Sequence, residues 1–374
     1  MSIEFDNHEN RYSNDSSIDK NDVQEGIEGQ ELVMIVSRYE IGAIQRIKEF
    51  KKGSRHSPKL IIDSTKGSYL LKRRASGSDD VDRVHFSHKI QKKLSNHGFP
   101  VAGLIETVDG NTLVEKDGRI YELFNFINGH RFDKSKPEAA ESGRVLAHCH
   151  DLLREFSEEQ SITKTSFHQI ENTNQVLSEI LEVLSNHEDV SNLEGMDSTV
   201  EYITSQFETA KRTTDSVGFS SLPTSVVHGD WHPGNMLYRD GEIVAVIDFD
   251  SLRVAQRITD IANGVLQFSM RMGIDDVNSW PDSFRGHTIR SMVQSYNSFT
   301  TAPLFPSELA IVPSLMKEAL VVESVFHIYK TGGFGDIIGS DFLRMVERKL
   351  GWLDLNTEKI IEVIQPPKSG EDSF

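Results

Sequence analysis

The chain predicts an α+β fold in two lobes: a small antiparallel β-rich N-lobe, then a larger, mainly helical C-lobe. Three observations carry this. Short extended runs broken by glycine turns fill the ordered part of the chain up to about residue 127. Beyond Gly129 the apolar spacing becomes helical, and one β-rich island, Val226 to Asp248, interrupts the helices. A length of 374 residues suits two such units, since a domain takes about 100–200 residues. The expected partition is an acidic tail over 1–29, an N-lobe over 30–127, a C-lobe over 128–363 and a polar tail over 364–374.

From Glu31 to Phe50 the apolar residues Leu32, Ile35, Val36, Tyr39, Ile44 and Ile47 fall at mixed helical spacing, which predicts one or two helices. Lys59 to Asp63 and Ser68 to Lys72 read as strands joined by a glycine-containing turn. Ser78, with Asp79 and Asp80 after it, reads as a helix start whose carboxylates favour the dipole. Phe86, Ile90 and Leu94 then lie on one helical face, and His97 to Pro100 stops the helix. Leu113 to Lys116 and Arg119 to Phe126 form a hairpin around Asp117-Gly118, a strong turn signal. Helices are expected over 138–156, 170–184, 198–211, 313–328 and 341–350.

Composition narrows the functional classes. A hydrophobic share of 37% with 26% charged residues is that of an ordinary globular protein. No apolar run approaches the roughly 18–20 residues a membrane span needs. The first thirty residues lack the basic start and apolar core of a signal peptide, and their many carboxylates make them a disordered tail. Cys149 is the sole cysteine, so an intramolecular disulfide is excluded and a cytoplasmic location is expected. A formal net charge of -17 argues against a nucleic-acid partner.

The chemistry lies in the island. His228-Gly229-Asp230-Trp231-His232-Pro233-Gly234-Asn235 leads through Asp240-Gly241 to Asp248-Phe249-Asp250. With a two-residue turn at Asp240-Gly241, Arg239 faces Glu242, Leu237 faces Val244 and Asn235 faces Val246. Side-chain alternation then puts Asp248 on the same sheet face as Asn235, one diagonal step away. An amide oxygen and a carboxylate converging there suit Mg²⁺, a hard cation that takes few protein ligands and completes its shell with phosphate oxygens. Asp230 reaches the same cleft and is placed to orient an attacking hydroxyl. This is the division of labour that phosphoryl transfer needs. Zinc is the rival, through His228, Asp230 and His232, but no Cys pair or helical His-Glu-x-x-His accompanies them. His148 and His150, two apart in a helix, face different ways.

These residues resemble the superfamily of aminoglycoside phosphotransferases, choline kinases and type II homoserine kinases, relatives of the protein kinases. His228-Gly229-Asp230 through Asn235 is similar to its catalytic loop, Asp248-Phe249-Asp250 to its metal-binding segment, and Asp260-Ile261-Ala262 to the step that follows. The resemblance implies a protein-kinase-like fold and an ATP- and Mg²⁺-dependent transfer to the hydroxyl of a small molecule. Asp230 would be the catalytic base, Asn235 and Asp248 the metal ligands, with Asp250 left open, and Asp260 a support of the loop.

It also implies that Lys72, at a strand end, binds phosphate, with Arg73 and Arg74 next to it as alternatives at a one-residue shift. Gly53 and Ser54 would lie in the nucleotide loop. The segment holding Glu122, Leu123 and Phe124 would be the hinge whose backbone pairs with adenine. One departure stands out. The family's glutamate partner for the lysine is missing, and Ser87 or His88 occupies its place. A weakened pseudokinase that serves as a nucleotide-binding module is therefore an alternative reading. A protein kinase is disfavoured by the short path from Asp248 to Asp260. The acceptor remains open among amino alcohols, aminoglycosides, homoserine and sugars. Glu155, Glu158, Glu159, Glu171, Glu179 and Glu182, with Trp231, Trp280 and Phe268, are candidates for binding it.

Overall fold

The computed structural model describes residues 26–50, 56–77, 80–156, 165–273 and 276–365. The N-terminal part begins with α1 (Gly29–Val36), whose buried Ile35 and Val36 join Tyr39, Ile41, Ile62, Leu71 and Leu123 in a small core. That core lies against an antiparallel sheet built from β1 (Ile44–Glu49), β2 (Lys59–Ser64), β3 (Gly67–Arg73), β4 (Val114–Lys116) and β5 (Arg119–Asn125), in the order β1-β2-β3-β5-β4. At the turn between β4 and β5, Asp117 and Gly118 both adopt positive φ, 52° and 72°, as an Asp-Gly hairpin requires.

Residues 44–49 correct the helical expectation. Ile44 and Ile47 have helical spacing but are 42% and 41% exposed, so they have no apolar face to bury in a helix. The free edge of β2 takes the segment instead, pairing it from Ile44–Ser64 to Glu49–Leu60. Between β3 and β4 lies α2 (Val81–Asn96), with Phe86, Ile90 and Leu94 buried along one face as expected. Its cap is Asp80, which accepts a 2.9 Å hydrogen bond from Arg83 N. Ser78 and Asp79, named as the helix start, lie outside the described residues, as do residues 1–25 and 366–374 of the tails expected over 1–29 and 364–374, whereas Gly29 opens α1 and Ile364 lies in a helix.

The C-terminal part is helical around one continuous core. Its helices are α3 (Lys136–Leu153), α4 (Thr173–Ser185), α5 (Met196–Ser216), α6 (Ile258–Ser269), α7 (Gly286–Phe299), α8 (Pro306–Ala310), α9 (Val312–Thr331), α10 (Gly339–Leu355) and α11 (Thr357–Ile364). The five helices predicted there are present. The structure adds α6, α7, α8 and α11, which the sequence reading did not separate. The island forms two short hairpin-like pairs. β6 (Thr224–Val227) pairs with β9 (Arg253–Gln256), while β7 (Met236–Arg239) pairs with β8 (Glu242–Val246). Two further two-residue strands, β10 (Gly333–Phe334) and β11 (Ile337–Ile338), precede α10. The architecture is the antiparallel sheet plus helical lobe that the sequence predicts. Among the described residues, no helix is long and apolar enough to cross a membrane.

Candidate active site

The loop between β6 and β7 carries Asp230, and Asp260 of α6 fixes it from below. The Asp260 carboxylate accepts from His228 N at 2.6 Å and from Gly229 N at 2.8 Å, and lies 3.3 Å from His150 Nε2. Gly229 takes φ +76°, and a Cβ there would stand 2.3 Å from Ser251 O, so the loop can pass only as glycine. Burial alone would raise the Asp260 carboxyl. The His150 hydrogen bond and the loop amides outweigh it and hold the group below its usual value.

Within the loop, Asn235 Nδ2 donates to Asp230 Oδ2 at 3.0 Å and to Asp230 O at 3.1 Å. His232 Nε2 lies 3.3 Å from the same Oδ2, and its Nδ1 accepts from Gly234 N. Burial works against the Asp230 charge, yet His232, His228 and Asn235 bring its carboxyl down to about 2. Burial likewise opposes the His232 cation, but the bond to Asp230 raises that imidazole above its ordinary value. Both nitrogens of His232 are thus engaged. The His228 ring is fully buried, with Nε2 on Ile247 O and its face toward Phe249 and Trp231. A zinc set drawn from these two histidines has no support in this geometry.

The β7–β8 hairpin corrects the expected register. Asp240 and Gly241 form the positive-φ turn, and Arg239 faces Glu242 as predicted. A bulge between Leu237 and Tyr238 then slips the pairing by one, so Leu237 faces Ala245 and Met236 faces Val246. Asn235 O accepts from Ile247 N at 3.0 Å. Strict alternation therefore does not bring Asp248 to the cleft. Asp248 turns through a left-handed backbone, φ 65° and ψ 69°, a conformation a non-glycine residue holds only where its surroundings enforce it. Its half-exposed carboxylate lies 3.7 Å from Lys72 Nζ.

Lys72 finds its acid in Asp250. Nζ donates to Asp250 Oδ2 at 2.9 Å, and Arg74 donates to the other oxygen at 2.6 Å. Arg74 also makes a forked pair with the fully buried Glu122, at 2.9 and 3.0 Å. His88 Nε2 lies 2.6 Å from Glu122, and Ser87 Oγ donates to Phe249 O. The two residues standing where the glutamate was sought thus bond elsewhere. Burial would deprotonate Lys72, but Asp250, Asp248 and Glu122 together raise it above its normal value. Burial would also neutralise Asp250, yet Lys72 and Arg74 hold it far below the usual carboxylate range. Arg73 pairs with Glu31 at 3.1 Å instead of with Asp250.

The hinge residues are placed differently from the expectation. Glu122, Leu123 and Phe124 sit inside β5, opposite Lys72, Leu71 and Leu70 of β3. On the other edge Leu123 O accepts from Ile105 N, and Asn125 N donates to Gly103 O. The Leu123 carbonyl and Asn125 amide are therefore committed to the sheet, and Glu122 contributes a side chain that the hinge reading overlooked. Gly53 and Ser54 lie outside the described residues. The aromatic acceptor candidates Trp231, Trp280 and Phe268 are core, at 0%, 3% and 1% exposure. Of the acids named with them, Glu171 and Glu182 lie on exposed surface and Glu179 bonds Tyr329 OH, while the other three fall at the edge of the described residues or outside them.

The donor set fits magnesium. Asn235 spends its amide nitrogen on Asp230, which leaves its own Oδ1 oxygen to a metal. Asp248 offers an accessible carboxylate, whereas both oxygens of Asp250 already serve cations. Hard oxygen donors few in number are what Mg²⁺ takes from protein.

Comparison with known proteins gives the family. Residues 46–302 match the model of the phosphotransferase enzyme family. The chain belongs to that family. It is 25% identical over 186 residues to the serine/threonine protein kinase RdoA of Salmonella typhimurium, a match covering 48% of this chain and 51% of the relative. The chain thus spans about half the length of the curated relatives it matches. Among solved structures, an aminoglycoside phosphotransferase from Alicyclobacillus acidocaldarius superposes with a TM-score of 0.66 at 16% identity, covering 90% of this chain and 98% of that one. Amicoumacin kinase hAmiN, solved with AMP-PNP, Ca²⁺ and Ami, superposes with a TM-score of 0.60 at 14% identity, covering 86% and 94%. At such identities the likeness is one of fold.

Proposed function

We propose that this protein is an ATP- and Mg²⁺-dependent kinase that transfers the terminal phosphoryl group of ATP to a hydroxyl of a small molecule. Two contacts support the reading: Asn235 Nδ2 donates to Asp230 Oδ2 at 3.0 Å, and Lys72 Nζ lies 3.7 Å from the Asp248 carboxylate. Asp230 stays ionised and open on one side, so it orients the acceptor hydroxyl and takes its proton at Oδ1, the oxygen that His232 and Asn235 leave free. Asn235 Oδ1 and the Asp248 carboxylate would hold magnesium, which neutralises charge on the phosphates when bound. Lys72 would share its charge between Asp250 and the phosphates. With the Leu123 carbonyl, the Asn125 and Phe126 amides and the Asn128 carbonyl already paired, the Phe126 carbonyl and the Ile127 amide are the backbone groups offered to adenine, and Gly53-Ser54 remains the proposed phosphate loop.

A protein-kinase reading draws on the curated relative. Against it, the chain between Asp248 and Asp260 is taken up by one turn and by β9, which is paired to β6 and leaves no room for a peptide-docking segment. An ATP-consumption screen over amino alcohols, aminoglycosides, homoserine, sugars and a serine/threonine peptide decides among these. Turnover with a small hydroxyl compound is expected. Phosphorylation of the peptide alone would favour the protein kinase. Measurable Mg-ATP binding without turnover of any acceptor would favour the nucleotide-binding module.

A further inference from the structure

The turn that follows Asp248 is held from outside by side chains of two other elements. Ser87 of α2 donates to Phe249 O at 3.2 Å, and Arg83, one turn earlier on the same helix, donates from Nη2 to Asp250 O at 3.3 Å. The next carbonyl, Ser251 O, accepts from Arg253 Nε of β9 at 3.0 Å. Consecutive Cα atoms are about 3.8 Å apart, so two guanidiniums from distant parts of the chain meet at neighbouring carbonyls. Arg253 also stands beside the loop that carries Asp230. A Cβ on Gly229 would lie 2.8 Å from its Nε and 3.2 Å from its Nη2.

Neither guanidinium is neutralised. Arg46, Arg73, Arg74, Arg144, Arg154 and Arg257 each pair with a carboxylate. Arg83 and Arg253 pair with none among the described residues. The acids nearby are engaged elsewhere: both oxygens of Asp250 bond Lys72 and Arg74, Asp260 holds the loop amides, and Asp80 accepts from Arg83 N. Each arginine spends one nitrogen on a carbonyl, which leaves Nη1 and Nη2 of Arg253 and Nε and Nη1 of Arg83 without a protein partner among the described residues. Burial lowers the Arg253 guanidinium below its usual value, Asp260 and Asp230 oppose this, and Arg83 reinforces it. In a chain with a net charge of -17, two adjoining cations without an acid stand apart from the rest of the molecule.

We propose that Arg83 and Arg253 form an oxyanion site for a phosphate group, free or as a monoester, at the junction of α2 with residues 249–251 and separate from the nucleotide and metal positions. A guanidinium fork matches phosphate oxygens. A phosphate group carries about -1.5 to -2 charges at pH 7, which answers two arginines, whereas a carboxylate answers one. The two arginines come from α2 and β9, so a bound phosphate would tie the helix to the strand beside the loop of Asp230. The site is a matter of binding and does not depend on the phosphotransfer reading.

The test is calorimetric titration of the full chain at fixed ionic strength, with Mg-AMP-PNP present so that nucleotide phosphates fill their own positions. The titrants are inorganic phosphate, glycerol 2-phosphate and acetate. Phosphate should bind with a Kd of about 1 mM or below, and acetate at least about tenfold more weakly. Glycerol 2-phosphate binding as well as phosphate would identify a monoester as the ligand, and binding of phosphate alone would identify the free ion. Arg83→Gln and Arg253→Gln should each weaken phosphate binding by about 10–100-fold, the usual worth of a charge-assisted hydrogen bond. Arg38→Gln, which removes the same charge from an exposed pair with Asp109, should leave it unchanged. Should Arg253→Gln fail to fold by circular dichroism, Arg83→Gln, on an exposed helix face, decides alone. Absence of phosphate binding, acetate bound as tightly, phosphate bound only when Mg-AMP-PNP is left out, or binding that survives in either arginine variant would each overturn the site. Failure of Mg-AMP-PNP itself to bind would count against the phosphotransfer reading, and the arginine variants would still decide the phosphate site.

Discussion

The half of the site proposed for catalysis and metal binding, from His228 to Asp250, and the lysine half, around Lys72 and Glu122, hold their charges by different means. In the first, Asp230 and Asn235 are five residues apart and bond within one loop. A single hairpin turn then returns the chain to Asp248. In the second, Lys72 meets Asp250 across 178 residues, Arg74 meets Glu122 across 48, and His88 meets Glu122 across 34. The first half is assembled by local backbone geometry, and the second by packing of a sheet, a helix and a distant loop. Asp250 belongs to both, since its backbone extends the metal segment while its carboxylate neutralises the lysine half.

The difference teaches where each half is vulnerable. Removing a group from the local half should harm chemistry more than folding. Asp230→Ala is expected to lower kcat by about 10²–10⁴-fold, the usual worth of a positioned proton acceptor, with an unaltered circular-dichroism spectrum. A rate within a factor of a few of the parent would remove Asp230 from the mechanism. With its carboxyl near 2, Asp230 is ionised throughout the working range. Its depressed value means that the stability it lends is present above about pH 4 and fades only as pH falls toward 2. Any acid limb in kcat/KM above that range belongs to another group.

In the long-range half the same kind of change should act on stability. Asp250→Asn strips the buried Lys72 and Arg74 of a shared counter-charge, and urea denaturation should register a loss of about 3–5 kcal/mol. A loss no larger than that of an exposed ion pair, below about 1 kcal/mol, would show that Glu122 alone suffices and would erase the contrast. The smallest effect is expected at the hairpin turn. Gly241 has φ +82° and open space around it, so Gly241→Ala brings conformational strain without a clash, about 1–2 kcal/mol in the same measurement. A much larger loss, or one accompanied by loss of Mg-ATP affinity, would mean that the turn sets the Asp248 position more directly than the bulge allows.

The sequence by itself determined the two-part fold, most helix positions and both Asp-Gly turns, and it singled out Asp230, Asn235 and Asp248 as the residues proposed for catalysis and metal binding. These signals are local: period, turn chemistry and spacing within a few residues express short-range constraints on the backbone. Tertiary structure alone decided the rest. The strand at 44–49 exists because β2 offers an edge, a fact outside its own helical spacing. The bulge at Leu237 shifts the register that counting back from the turn supplies, and Asp248 leaves the strand through a left-handed backbone that alternation does not foresee. The partner of Lys72 was invisible for the same reason. A missing glutamate on α2 is legible in sequence, but its replacement by Asp250, with Glu122 supporting through Arg74, depends on which charges packing leaves without water.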